Sequence, residues 1–388
     1  VIVLFYVLIF IILLILCFSI RNINILITII CTILIGQIIL APKICIDGVI
    51  SGAMLFFYKV FPSLFSFLVV SNIILFYDGV YIYSKLIGRF LCKPLRLPIN
   101  CSFVLIISML CGYPLGAKYA CDLLERRLID LPTCERLLNI ASNASPLFVL
   151  GSVGISMFKN STLGYILLLS NLLSCIAMGF LLKPEKIYID NRPEKNHVYS
   201  DENIGKVIKS SIENAIKTCM SIGGFVIIFS VVNNILKNNF LFSSLIQWIS
   251  KFTAFPGDII EGFLLGIIEM TNGCNLISSS TASLNLKIII VSFLFTFSGV
   301  SIISQVYSFT YRFKISMKKY ILGKIFQGII CSILSFSIYN VFFNKLSASA
   351  FLPYYKIAGD SSSVFLLILV LIILPWLIFR TAKLFHIP

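Results

Sequence analysis

The sequence predicts an all-α, polytopic membrane protein, and three observations carry that reading. Hydrophobic residues fill 59% of the 388 positions, at a mean hydropathy of +1.00, and charged residues only 12%, against roughly 25% in soluble domains. Several apolar runs reach the roughly 20 residues that take a helix across hydrocarbon. The short alternating segments of an outer-membrane barrel, roughly 10 residues each, are absent from the sequence.

Taken in order, spans fall at about 1–20, 23–42, 58–78, 138–158, 162–182, 218–237, 287–308, 320–343 and 363–381, about nine in all. The first run, "VIVLFYVLIFIILLILCFSI", is longer than a signal-peptide core, lacks a basic leader and ends at Arg21 without a small-x-small cleavage site. It reads as a retained span. Two further apolar stretches, about 101–117 and 258–283, are interrupted by Gly, Pro, Thr and Asn and read as re-entrant hairpins.

The formal charge of +15 lies in loops between apolar runs, which is the signature of topology and argues against a nucleic-acid partner. With the N-terminus outside and each hairpin returning to its own side, cytoplasmic segments receive Arg21, Lys85, Arg89, Lys93, Arg96, Lys118, Arg126, Arg127 and Arg136. They also receive the linker after Leu182, the "YRFKISMKK" loop, Arg380 and Lys383. The outer side keeps isolated lysines such as Lys43, Lys159, Lys237, Lys345 and Lys356, and no arginine. That bias places the N-terminus out and the C-terminus in.

An internal repeat follows the same order. "VFPSLFSFLVVSNIIL" resembles "TCMSIGGFVIIFSVVNNIL", "FVLIISMLCGYPLGA" is echoed by "EGFLLGIIEMTNGCNL", and "ASNASPLFVLGSVG" by "FTFSGVSIISQVYS". The charge bias gives the two sets opposite orientation, the pattern of inverted-repeat transporters whose substrate site lies where paired discontinuous segments meet. The chain then divides into N-terminal membrane helices (1–44), a first repeat (45–182), a basic cytoplasmic linker (183–217), a second inverted repeat (218–345) and a C-terminal loop and helix (346–388).

The broken segments carry the candidate chemistry, because backbone freed inside a bilayer survives only when buried in protein or lining a wet cavity. In "CGYPLGAK", Gly112 and Gly116 allow close backbone approach, and Pro114 stops the helix. The N–H groups of a half-helix start favour an anion. Tyr113 adds a ring with a hydroxyl and Lys118 a cation, the alternative for the lysine being a snorkel to headgroups. In "LLGIIEMTNGCN", Glu269 is an intramembrane carboxylate beside Thr271 and Asn272. It is a candidate for binding a proton or sodium ion, or for holding the hairpin tip by hydrogen bonds. The partner helices bring Asn139, Ser142, Asn143, Ser145 and Pro146, and Thr296, Phe297, Ser298, Gly299, Ser301 and Gln305. Hydroxyls and amides also glue membrane helices together, but packing alone does not require an unwound backbone in both repeats. The stretch "CDLLERRLIDLPTCERLL" reads as a solvated cytoplasmic turn, with Asp130 or Thr133 capping the next helix.

At these residues the sequence resembles a known family. "FPSLFSFLVVSNII", "CGYPLGAK", "LLERRLIDLPTCERLLNIASNASPLFVLGSVG" and "LLGIIEMTNG" are similar to the sporulation integral membrane proteins of the YlbJ, or stage V sporulation protein V, type. The resemblance covers roughly 45–345 and is most specific in "GYPLGAK…ERLL…SNASPLF". It implies paired nucleoside-recognition Gate domains, a fold related to concentrative nucleoside transporters, and transport of dipicolinic acid across the outer forespore membrane during endospore formation. Dipicolinate is a planar aromatic dianion. The resemblance and the residues together nominate Gly112, Tyr113, Gly116, Lys118, Asn143, Ser145, Thr271, Asn272, Phe297 and Ser298 for substrate, with Glu269 for a coupling ion or hairpin support. A lysine stands where nucleoside carriers have a carboxylate-bearing first hairpin, which sets a nucleoside substrate in doubt.

Two other classes remain as alternatives: a scaffold for spore-envelope assembly working through the linker, and a carrier of a nucleoside or of another small anion. An intramembrane enzyme lacks HExxH, GxGD and any Ser/His or Cys/His pair. Twelve cysteines, scattered singly with no CxxC, read as small apolar residues, and His197 and His386 are too few for a metal site. No cofactor is expected. Expected partners are a small anionic substrate, the lipid bilayer and, by analogy with trimeric nucleoside carriers, further copies of the chain.

Overall fold

The structure, a computed structural model, describes residues 23–184, 203–253 and 255–347. The spans expected at 1–20 and 363–381, residues 185–202 of the linker, and all but the first two residues of segment 346–388 lie outside the described residues. Among the described residues every regular element is helical.

Helices α1 (Ile23–Leu40) and α2 (Pro42–Leu55) meet at a bend of 105° where Pro42 opens α2. A π-turn at Phe56–Val60 leads into α3 (Phe61–Phe76). Pro62 lies in the first turn of α3, where its missing N–H breaks the regular ladder and the wider turn absorbs the mismatch. Asp78, left-handed at φ 53°, turns the chain by 88° into α4 (Gly79–Cys92).

The centre is built from two helical hairpins and two broken helices. The first hairpin pairs α5 (Ser102–Cys111) with α6 (Leu115–Glu125). After α7 (Leu131–Ile140), residues 141–145 leave the helix, and a π-helix spans Leu147–Met157. The span expected at 138–158 is therefore two pieces: α7 ends at Ile140, and Pro146, which lacks an N–H and disfavours helical backbone in the residue before it, stands at the start of the second piece. Helix α8 (Ser161–Leu181) follows, capped by Asn160, and packs close to the π-helix where Gly154 faces Gly164.

Helix α9 (Ile204–Lys237) is 34 residues long, about 51 Å at 1.5 Å per residue. It outruns the roughly 30 Å hydrocarbon layer, so its first turns, carrying Lys206, Lys209, Glu213 and Lys217, extend the helix back into the stretch read as linker. It lies along α2 and α3, where Gly48 and Gly52 admit Val231 and Ile227. Asn234 donates to the Ile44 carbonyl at 2.6 Å and Asn72 to that of Ser211 at 3.4 Å, the amide glue expected between membrane helices.

Helix α10 (Phe240–Thr253) leads to the second hairpin, α11 (Gly257–Ile268) with α12 (Met270–Ser279). Helix α13 (Leu284–Phe297) breaks at Ser298 and resumes as α14 (Gly299–Thr310). Helix α15 (Met317–Ser347) closes the described chain and packs on α8 and α13. Among the described residues, four elements suit a membrane span by length and apolarity, Ser161–Leu181, Ile204–Lys237, Leu284–Thr310 and Met317–Val341, or up to six if the two bent pairs each count as one.

The turn after α6 is less solvated than its charges suggest. Asp130, not Thr133, caps α7 by accepting the Thr133 N–H at 3.0 Å. Arg136 is only 8% exposed. Its guanidinium donates to the carbonyls of Leu182 at 2.7 Å, Arg96 at 2.9 Å and Gly179 at 2.6 Å, and to that of Leu95. One planar fork thereby gathers the loop after α4 and the carbonyl end of α8, groups that would otherwise be orphaned.

Candidate functional site

At the first hairpin tip the break spans Gly112 to Pro114, and each residue has a distinct job. Gly112 adopts φ 75°, and a Cβ there would press on Ser145 N and lie 2.9 Å from the Asn143 carbonyl. Only glycine combines that conformation with that contact. Tyr113 N donates to the Asn143 carbonyl at 2.8 Å, so the tip is tied to the unwound 141–145 stretch through backbone. The Tyr113–Pro114 peptide is cis. The Tyr113 hydroxyl reaches across the molecule to the Phe295 carbonyl and lies 2.8 Å from Met270 Sδ. Gly116 sits against the Ala141 carbonyl and the Ser108 hydroxyl, and that hydroxyl bonds Asn143 Oδ1.

The second tip is a single residue. Glu269 is extended, at φ −139° and ψ 111°, and its carboxylate accepts the N–H groups of Thr271 at 3.0 Å and Asn272 at 2.9 Å. The side chain thus caps α12 in the manner of an N-cap aspartate, a charged acceptor on the positive end of the helix. The two arms of the hairpin approach closely because Gly266 faces Gly273. Against this tip, Ser298 and Gly299 both take positive φ, at 76° and 74°, and Gly299 lies under the carbonyls of Gly266, Ile267 and Ile268.

A cavity of about 110 Å³ lies where these breaks converge. Tyr113 and Pro114 from the first tip, Ser145 from the unwound stretch, Glu269, Met270 and Thr271 from the second tip, and Ser301 and Gln305 from α14 all line it. Leu64, Phe67, Ile222 and Val226 of α3 and α9 close the apolar side. Mixed walls of this kind, apolar with a few convergent polar groups, are the usual form of a small-molecule site. Glu269 is only 5% exposed although it faces the cavity.

Of the residues nominated from the sequence, Tyr113, Ser145, Glu269 and Thr271 meet at this cavity. Gly112, Gly116, Asn143, Asn272 and Ser298 stand behind it, shaping the tips and the unwound stretches. Phe297 stacks on Phe293 with centroids 5.7 Å apart and is outside the lining. Lys118 is also outside it: its ammonium pairs with Asp122 at 3.0 Å, one turn along the same helix. Sequence reasoning missed Lys324, which is fully buried. Its Nζ donates to the Ser142 carbonyl at 2.8 Å and to Gln327 Oε1 at 2.9 Å, and lies 5.8 Å from the centroid of the Tyr113 ring. The available signal was a lysine three residues before a glutamine in "YILGKIFQGIICSIL", on one face of an otherwise apolar run. Tyr320 completes this cluster, sharing a hydrogen bond of 2.9 Å with Ser142 Oγ.

The chain is similar to the sporulation integral membrane protein YlbJ of Bacillus subtilis (strain 168), 27% identical over 328 residues that cover 77% of this chain and 78% of that protein. The apolar helices and that likeness make the chain an integral membrane protein, all-helical among the described residues. No family profile matches the chain, and no solved structure matches it. Among the described residues no three His, Cys, Asp or Glu side chains cluster as a metal site, and the cysteines are free, all but Cys31 buried.

Proposed function

We propose that this chain is a secondary transporter that moves dipicolinate across the outer forespore membrane during endospore formation. The observation that carries the reading is the convergence of both hairpin tips and both broken-helix partners on one cavity, with Tyr113, Ser145, Glu269, Thr271 and Ser301 on its wall. Broken backbone at membrane depth belongs to substrate pathways, because its freed N–H and C=O groups need protein or water around them. Sporulation supplies the biological setting through the Bacillus subtilis relative.

On this reading the two sets of elements, α2–α3 to α8 and α9 to α15, are inverted Gate-type repeats. In each, a long helix, a short helix, a broken hairpin, a broken helix and a closing helix follow in the same order. The hairpins are re-entrant, the N-terminus is outside and the C-terminus cytoplasmic. The Tyr113 ring stacks on the pyridine of the substrate, and Ser145, Thr271 and Ser301 orient its carboxylates. Glu269 holds the second tip and is the position for a coupling proton or sodium ion. The protein needs no cofactor and performs no covalent chemistry, and copies of the chain associate in the bilayer as related carriers do.

The test is uptake of labelled dipicolinate into proteoliposomes containing the purified full chain, with uridine as comparison. Saturable uptake of dipicolinate, weaker for uridine and abolished by Thr271→Trp within the cavity, is the expected result. No uptake of either compound by folded, inserted protein contradicts the reading and favours a scaffold in the spore envelope.

A further inference from the structure

The buried lysine is the feature that the reading above does not use. Lys324 is 0% exposed, and among the described residues no carboxylate pairs with it. An ammonium taken out of water without a counter-ion is strongly destabilising, and intramembrane charges are retained where they act on a substrate or ion. Two of its three N–H donors are filled by neutral acceptors, the Ser142 carbonyl and Gln327 Oε1. The face of the Tyr113 ring, a weak cation–π partner, is the next group at 5.8 Å. That ring lines the cavity, whereas Lys324 does not reach the cavity wall. The Tyr113 side chain is therefore the layer between a buried positive charge and the site.

The electrostatics of the cavity call for such a charge. Glu269 lines the wall and would repel an anion, and Lys118 is paired with Asp122 outside the lining. Without a further cation the site faces a dianion with dipoles only. We propose that Lys324 is the residue that recognises the second carboxylate of a small dicarboxylate, and that Tyr113 uncovers it by swinging its ring off the Lys324 ammonium and its hydroxyl off the Phe295 carbonyl. The inference rests on the proposed anion-carrier function and identifies the group that makes the site selective for two negative charges. Ser142 then links the two events, since its carbonyl holds Lys324 within the unwound stretch whose neighbour Ser145 lines the cavity.

The experiment is equilibrium binding of dipicolinate and of picolinate, its monocarboxylate counterpart, to the full chain in nanodiscs, with thermal unfolding measured on each sample. The wild type is expected to prefer the dicarboxylate by about tenfold or more, the scale of one charge-assisted hydrogen bond. Lys324→Gln keeps an amide donor for the Ser142 carbonyl, so it should unfold within a few degrees of wild type while the preference falls to about one. A folded Lys324→Gln that keeps the preference overturns the assignment but leaves the carrier intact. Wild-type protein that binds neither anion overturns the carrier reading and this inference together. Should Lys324→Gln not fold, carbamylation by cyanate in Tyr113→Ala gives a second readout. Lys324 should become modified there and be protected by dipicolinate, and modification without protection overturns the proposal.

Discussion

The two hairpins solve the same problem in opposite ways. The first tip is satisfied from outside itself: Gly112 nests on the unwound 143–145 backbone, Tyr113 N donates to the Asn143 carbonyl, and the Tyr113 hydroxyl crosses to the Phe295 carbonyl. The second tip is satisfied from within, since the Glu269 carboxylate caps the helix it begins. The first hairpin is therefore tied to its neighbours, and the second carries its own cap. One tip thus has a side chain that can let go of a distant carbonyl, and the other a capping charge that keeps its half-helix intact.

Substitutions sharpen that contrast, beginning with the largest effect. Gly112→Ala forces a Cβ into the Asn143–Ser145 backbone at φ 75°, and strain with overpacking should destabilise the protein by about 3 kcal/mol, read as a lowered unfolding temperature in detergent. Unchanged stability would mean that the tip is not seated on the unwound stretch. Glu269→Ala removes the cap of α12 and should lose about 1–2 kcal/mol. Glu269→Gln, keeping one acceptor oxygen, should lose less than that while still impairing uptake. Equal stability loss in the two variants would show that the carboxylate does not act as a cap. Tyr113→Phe deletes one cross-molecule hydrogen bond and should lose about 1 kcal/mol, with dipicolinate affinity changed more than stability. Lys118→Ala removes a partly exposed i,i+4 pair with Asp122 and a cation–π contact with the Tyr119 ring at 4.4 Å, so stability should move by about 1 kcal/mol or less and uptake not at all. Loss of uptake in that variant would return the anion to the sequence-based position on Lys118.

Much of this arrangement was legible in the sequence because it depends on residues that cannot sit in an uninterrupted apolar helix. Gly112, Pro114, Glu269, Pro146 and Gly299 announce backbone breaks, and four breaks in matching order locate the centre of the molecule. What stayed hidden was side-chain direction. Lys118 and Lys324 are both single lysines beside apolar runs, and local pattern cannot tell which one turns inward. The fold turns Lys118 onto Asp122 and Lys324 onto the Ser142 carbonyl, a contact between residues 182 positions apart. Arg136 was misread as solvated for the same reason, since its four carbonyl partners come from distant turns. The length of α9 was hidden differently: hydropathy finds the stretch inside the lipid, whereas the helix runs on into water through Lys206 to Lys217.

In the proposed function the four breaks enclose the substrate site. A cryo-electron microscopy structure of the full chain in nanodiscs with saturating dipicolinate tests it directly. Planar ligand density bounded by Tyr113, Ser145, Glu269, Thr271 and Ser301 is expected, with the Tyr113 hydroxyl released from the Phe295 carbonyl and one carboxylate at Lys324 Nζ. Ligand density elsewhere, with the Tyr113 side chain still on Phe295 and the cavity unfilled, would contradict it.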